Sequence, residues 1–117
     1  MKDKFIDTNL LVYLFSDDKK ASSVNALIKK HFSSILISSQ VLGELFNVLT
    51  RKNIRTSSEA RNIVEELVRH FEVAPVRSDT VIHAMRINEA TGFSYWDSLV
   101  VATALDNFIL KTFNTDR

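Results

Sequence analysis

The chain has no cysteine, which removes disulfides, thiol nucleophiles and cysteine-ligated zinc together. Its two glycines, Gly43 and Gly92, are too few and too far apart for a glycine-rich phosphate loop of the dinucleotide or P-loop type. Neither sign of charge dominates: 15 Lys and Arg stand against 14 Asp and Glu, so no global field marks a nucleic-acid binder and any such role needs a local patch. Long apolar runs are missing too. The stretch from Leu10 to Phe15 is too short for a membrane span or a secretory core, which leads to the expectation of a soluble cytoplasmic protein. His31, His70 and His83 form no His-Glu-x-x-His pattern and no Ser-His-Asp set, and each reads as a surface histidine at a helix end or face.

What is present suits a folded globule. The 117 residues, 45% of them hydrophobic, are enough for one domain with a sizeable core, taken as residues 1–117. Strand and helix signals alternate along the whole length. Phe5-Ile6 is a short strand, Thr8 and Asn9 are helix-capping residues, and Leu10–Phe15 follows as a helix. Ser16-Asp17-Asp18 reads as a turn and second cap before a helix over residues 19–31, with Ala21, Val24, Leu27 and Ile28 at helical spacing. Ile35-Leu36-Ile37 is a second strand. Ser38 and Ser39 cap a helix whose apolar stripe is Val41, Leu42, Leu45, Phe46 and Leu49.

Thr56-Ser57-Ser58-Glu59 is a capping box that opens a helix through Ile63, Val64, Leu67, Val68 and Phe71. Glu72–Val76 is a third strand, which Pro75 restricts to an edge or a strand end. Ser78-Asp79 caps a helix through Val81, Ile82, Met85 and Ile87 that Gly92 stops. Ser94-Tyr95-Trp96-Asp97 starts another, with Leu99, Val100, Val101, Ala104 and Leu105 expected inside. Residues 108–113 read as a fourth strand. Such alternation predicts a three-layer α/β/α fold around a parallel sheet of about four strands.

Four acids then stand out as a set. Asp7 and Asp116 follow strands one and four, at the carboxyl edge where α/β sheets bind ligands. Glu44 and Asp97 lie on helices that leave the same edge. Each has an ordinary explanation: Asp7 and Asp97 as helix caps, Glu44 as a solvated helix acid, Asp116 as a chain-end charge. Together, with no basic residue adjacent in sequence to Asp7, Glu44 or Asp97, they describe a site that needs a cation, because crowded carboxylates cost free energy unless compensated. A hard divalent ion such as Mg²⁺ takes oxygen ligands of this kind and can activate water against a phosphodiester. Tyr95 and Trp96 would offer stacking surface beside Asp97, although core packing is the expected role of Trp96.

The segments Phe5-Ile6-Asp7-Thr8-Asn9, Ser39-Gln40-Val41-Leu42-Gly43-Glu44-Leu45, Phe93-Ser94-Tyr95-Trp96-Asp97-Ser98-Leu99 and Phe113-Asn114-Thr115-Asp116 resemble the motifs of the PIN-domain family, and within it the VapC-type toxins of bacterial toxin–antitoxin pairs. The resemblance runs nearly end to end. It implies a Mg²⁺- or Mn²⁺-dependent endoribonuclease with Asp7, Glu44, Asp97 and Asp116 at the acidic positions, and Thr8 and Asn114 as polar neighbours that orient ligands or water. It implies RNA as substrate, a cognate antitoxin and a homodimer. Two departures go with it: Phe108 stands where the family often has a small residue, and the chain is short at its C-terminal end, which would be expected to weaken the hold on Asp116 or to favour strand exchange.

Two other readings compete. An aspartyl-phosphate enzyme also carries an Asp after its first strand, but Thr8-Asn9-Leu10-Leu11 supplies no second acid and Lys111 is a weak partner. A catalytically weak or inactive PIN-fold module that binds RNA or protein is the stronger rival. Arg51, Lys52 and Arg55 are the best local basic cluster for an RNA backbone, with Lys29 and Lys30 second. The apolar crowding of Leu10–Phe15 and of Phe46, Leu49 and Ile54 exceeds what a small sheet covers, and so predicts a homodimer or an antitoxin groove.

Overall fold

A computed structural model describes residues 4–16 and 19–115, with residues 108–115 described by their backbone alone. The elements are β1 (Lys4–Phe5), α1 (Thr8–Phe15), α2 (Ala21–Lys30), a short 3-10 turn (Phe32–Ser34), β2 (Ile35–Ser38), α3 (Ser39–Arg51), α4 (Ser57–His70), β3 (Glu72–Ala74), α5 (Ser78–Thr91) and α6 (Tyr95–Thr115). The sheet runs in the order β1-β2-β3. β1 and β2 are parallel, with Lys4 opposite Ile35 and Phe5 opposite Leu36, and the Ile6 amide extends the pairing to the Leu36 carbonyl at 3.2 Å. All four residues of β2 are buried, as befits a strand covered on both faces. Pro75, with no amide hydrogen to give, comes just after β3 ends.

The chain divides into two compact units, Met1–Val73 and Ala74–Arg117. In the first, Ile6, Leu11, Ile28, Ile35, Ile37, Leu42, Leu45 and Leu49 form one core with Ala60 and Leu67 of α4. α3 earns its place in that core by periodicity: Leu42, Leu45 and Leu49 fall on one face and are all buried. Ser38 caps it, accepting from the Val41 amide at 3.2 Å. α4 opens with the expected capping box, in which the Thr56 hydroxyl accepts from the Glu59 amide and the Glu59 carboxylate from the Thr56 amide. The backbone and hydroxyl donors of Thr56 hold the Glu59 carboxyl below its usual range.

In the second unit α5 packs on α6 through Ala84, Leu99 and Ala102, where the two alanines leave room for the leucine between the helices. Val76, Val81, Ile87 and Tyr95 complete that core. Gly92 ends α5 in the left-handed region at φ 77°, its amide bonded to the Asn88 carbonyl, as the C-terminal glycine rule requires. α5 itself starts one residue early, with Arg77 as its cap, and the Thr80 hydroxyl accepts from the Arg77 amide at 3.3 Å.

The fourth strand expected over residues 108–113 does not form. α6 runs unbroken through that segment to Thr115. Two polar side chains bond back within the helix: the Thr103 hydroxyl donates to the Leu99 carbonyl at 2.7 Å and the Asn107 side-chain amide to the Thr103 carbonyl at 2.9 Å. No glycine or proline follows Gly92 to stop the helix. Several side chains expected inside are exposed instead, among them Leu27, Val68, Ile82, Met85, Val100 and Leu105. The turn residues Asp17 and Asp18 lie outside the described residues, and α2 is capped by Lys20. No described helix is long and apolar enough to cross a membrane.

The burial pattern is testable. Leu49 is fully buried and Val68 is half exposed. Leu49→Ala should cost about 3 kcal/mol in urea unfolding, whereas Val68→Ala should stay within about 0.5 kcal/mol of wild type.

Candidate active site

The first unit brings two of the candidate acids to one junction. Carried two residues further, the β1–β2 register sets Asp7 level with Ser38. These two residues are the N-caps of α1 and α3, so the two helices start side by side from one edge of the sheet. Glu44 sits in the second turn of α3. Helical side chains lean towards the helix N-terminus, so an acid in that turn reaches back towards the edge. There the Thr8 hydroxyl donates to Glu44 Oε2 at 2.7 Å, and the Gln40 amide, one turn earlier on α3, donates to Glu44 Oε1 at 2.7 Å. Both carboxylate oxygens are thus held, one from each helix, while the residue as a whole stays exposed.

Asp7 immediately precedes Thr8, with Cα atoms about 3.8 Å apart. The helix cap falls on Asp7 itself rather than on Thr8 or Asn9, yet its carboxylate makes no capping bond, and the residue is exposed. Its charge is therefore not spent on closing the helix. Thr8 is buried, in keeping with a positioning role for its hydroxyl. Gly43, beside Glu44, sits mid-helix at a cost of about 1 kcal/mol relative to alanine. A Cβ there would meet nothing within 4 Å, so packing within the chain does not ask for glycine; it leaves open space next to Glu44.

The second unit holds Asp97 in the first turn of α6, exposed, its amide bonded to the Ser94 hydroxyl at 3.1 Å. The cap reading of this segment is thus correct for Ser94, and it leaves the Asp97 carboxylate facing solvent. Trp96 corrects an expectation: it is 62% exposed, and Tyr95 is the ring that packs into the core. In α-helical order the two neighbours fall about 100° apart, so only one can face α5. Ser98, next to Asp97, is fully buried and its hydroxyl has no partner, a cost of about 1–3 kcal/mol. Asn114 lies on the backbone of α6 rather than after a strand, and Asp116 lies outside the described residues.

Arg51, Lys52 and Arg55 flank the turn between α3 and α4, where Asn53 takes φ 55° and the Ile54 and Arg55 amides both close on the Leu49 carbonyl. Arg51 and Lys52 are exposed; Arg55 bends back to the Ile54 carbonyl. Lys29 and Lys30 are exposed at the end of α2. One pair was invisible in the sequence. His83 Nδ1 meets Asp106 Oδ1 at 3.1 Å and fastens α5 to α6 across 23 residues. No local motif announces such a pair; only the shared face of the two helices does.

The donors suit a hard cation. Mg²⁺ is commonly held by one or two carboxylates, with water and substrate phosphate filling its other positions, and the junction of Asp7 and Glu44 provides two. Among the described residues no group of three or more His, Asp or Glu side chains stands close enough to hold a metal ion.

Comparison with known proteins now decides the family. The PIN domain model matches residues 4–116. The protein belongs to the PIN-domain family. Among solved structures it is similar to VapC20 of Mycobacterium tuberculosis, described as a sarcin–ricin loop cleaving toxin, with 20% identity, a TM-score of 0.64, and coverage of 88% of this chain and 82% of that one. No curated protein sequence matches. The PIN-type three-layer α/β/α class expected from the alternation of elements therefore holds, with three described strands rather than four.

The bond between Thr8 and Glu44 is the contact on which this site geometry turns. A double-mutant cycle with Thr8→Val and Glu44→Ala should show a coupling of about 1 kcal/mol in denaturant unfolding. Strictly additive effects would mean that the bond does not persist in solution.

Proposed function

We propose that this PIN-domain protein is a divalent-metal-dependent endoribonuclease and the toxin of a VapBC-type toxin–antitoxin pair. The observation that carries the reading is the Glu44 carboxylate gripped by Thr8 and Gln40 beside an exposed, uncommitted Asp7. A surface glutamate that served solubility alone would not be fixed at both oxygens, because holding a long side chain in one rotamer costs entropy. Membership of the family and likeness to a toxin that cleaves RNA support the same activity.

In this reading Asp7 and Asp97 would hold Mg²⁺ or Mn²⁺ directly, and Glu44 and Asp116 would act directly or through water. The ion, when bound, would activate a water molecule and stabilise the leaving oxygen of the phosphodiester. The chain's own residues do the positioning. Thr8 and Gln40 hold Glu44 in one orientation, so that its charge is in place before substrate arrives. Asn114 orients ligand or water. Arg51, Lys52 and Arg55 contact RNA phosphates, which fix register without reading sequence. In the same reading residues 1–117 make up a single PIN-like domain of a cytoplasmic protein.

Asp7→Asn removes a charge at nearly constant shape. It should abolish metal-dependent RNA cleavage, a loss of at least about 1,000-fold, with an unchanged circular dichroism spectrum; EDTA should have the same effect on wild type. Cleavage that survives either treatment would rule the mechanism out. Retained RNA binding with no cleavage in wild type would instead favour a binding module built on the same fold.

The partners follow from apolar surface. Leu10, Val12, Tyr13, Leu14 and Phe15 of α1 are only half-buried and Phe46 of α3 is 37% exposed, so neither helix is fully covered within its own unit. We infer a homodimer, silenced by an antitoxin segment, with part of one of these helices covered by the second copy or by the antitoxin. Light scattering should give twice the 13.3 kDa chain mass at micromolar concentration. A mass of one chain throughout would defeat the dimer.

A further inference from the structure

The second unit displays aromatic rings that its own packing does not use. Trp96 is 62% exposed and Phe93 is 51% exposed, and between them lie only Ser94 and Tyr95. Large aromatic side chains normally bury most of their area, so two neighbours left in water call for a cause. Val100, one helical turn beyond Trp96, is 56% exposed and lengthens the same apolar strip.

The Trp96 ring is braced by a neighbour, and the backbone that carries Phe93 is held. Tyr95 is anchored in the α5–α6 core and meets Trp96 edge-on, with ring centroids 5.1 Å apart and planes at 69°. The Phe93 carbonyl accepts from the Asn88 amide at 2.6 Å, and the Phe93 amide donates to the Thr91 hydroxyl at 3.1 Å. That hydroxyl in turn donates to the Ile87 carbonyl at 2.7 Å. With Gly92 in its left-handed turn, the segment that carries Phe93 is tied back to α5 on both sides. A tryptophan ring already held against its neighbour loses little entropy when something stacks on it.

We propose that Trp96, assisted by Phe93, is a stacking platform for an unpaired base of the RNA substrate, placed to hold the strand beside Asp97. This rests on the ribonuclease reading above. The surroundings favour a base over a protein partner. Ser94 and Asp97, both exposed, border the rings. A dry protein interface laid over Trp96 would bury the Asp97 carboxylate at a cost of desolvation, whereas a stacked base covers the ring face and leaves the acid in water. Stacking also needs no matching charge and accepts any base, since every base has a π face. Duplex RNA keeps its bases paired and stacked on each other, so the platform selects unpaired segments.

Trp96 is the only tryptophan, so its emission reports the platform directly. The 117-residue chain carrying Asp7→Asn, which spares the RNA, is titrated with a short labelled unpaired oligoribonucleotide and with the same sequence as a duplex. RNA anisotropy is recorded beside tryptophan emission. Unpaired RNA should quench the emission by about half or more, in step with anisotropy, and the duplex should bind more weakly with little quenching. Adding Trp96→Ala should weaken binding of unpaired RNA about tenfold, and Trp96→Phe about threefold or less. Binding by anisotropy with unchanged emission, or a Trp96→Ala variant that binds as tightly as its parent, would overturn the platform and leave the nuclease reading standing. A blue shift that depends on protein concentration without RNA would also overturn it, by showing that a second copy covers the ring. No RNA binding by any variant would overturn the ribonuclease reading and this one with it.

Discussion

Parallel pairing of β1 with β2 is the constraint from which the site in the first unit follows. β1 is only two residues long, yet its register with β2 puts Asp7 and Ser38 at one level of the sheet. Since each is the N-cap of the following helix, α1 and α3 leave the edge together. The lean of helical side chains then brings Glu44 back to Thr8. An antiparallel pairing would send the two helices off from opposite ends and part the acids by the length of the strands. Burial of β2 on both faces stabilises the pairing, because Ile35, Leu36 and Ile37 cannot move without exposing the core.

The same edge explains why the acids are exposed although their supports are not. Thr8 and Ser38, which orient and cap, are buried, whereas Asp7 and Glu44 are open to solvent. Charge on a wet surface costs little, and the neighbouring hydroxyl holds it in position. The second unit repeats the arrangement with different parts: Ser98 and Thr103 lie buried, Asp97 and Trp96 lie outside, and a core built around Ala84, Leu99 and Ala102 joins α5 to α6.

Local chemistry made much of this legible in the sequence. Ser38, the Thr56–Glu59 box, Ser94 and Gly92 all act at helix ends as their side chains dictate, and the strands at Phe5, Ile35 and Val73 come where short apolar runs meet cap residues. Asp7, Glu44 and Asp97 could be singled out because acids bordered apolar runs at sheet-edge positions. What stayed hidden depends on packing between elements. Residues 108–113 are a mostly apolar run whose length suits strand or helix equally, and with no glycine or proline after Gly92 the helix begun at Tyr95 continues through it. Which of Tyr95 and Trp96 faces α5 is a matter of about 100° of helical phase, beyond what composition resolves. The pair of His83 with Asp106 joins residues of two helices and leaves no trace in either alone.

The central claim is that Asp7 is a metal ligand, with Glu44 serving the ion directly or through water, and that neither is merely a helix-end charge. Anomalous scattering from crystals of the protein grown or soaked with Mn²⁺ tests it most directly, because it reports the ion rather than an activity. The account predicts a manganese peak bound by the Asp7 carboxylate with Glu44 beside it, directly or through water, and loss of that peak in Asp7→Asn. Manganese bound elsewhere, or no peak at this junction at saturating Mn²⁺, would contradict it.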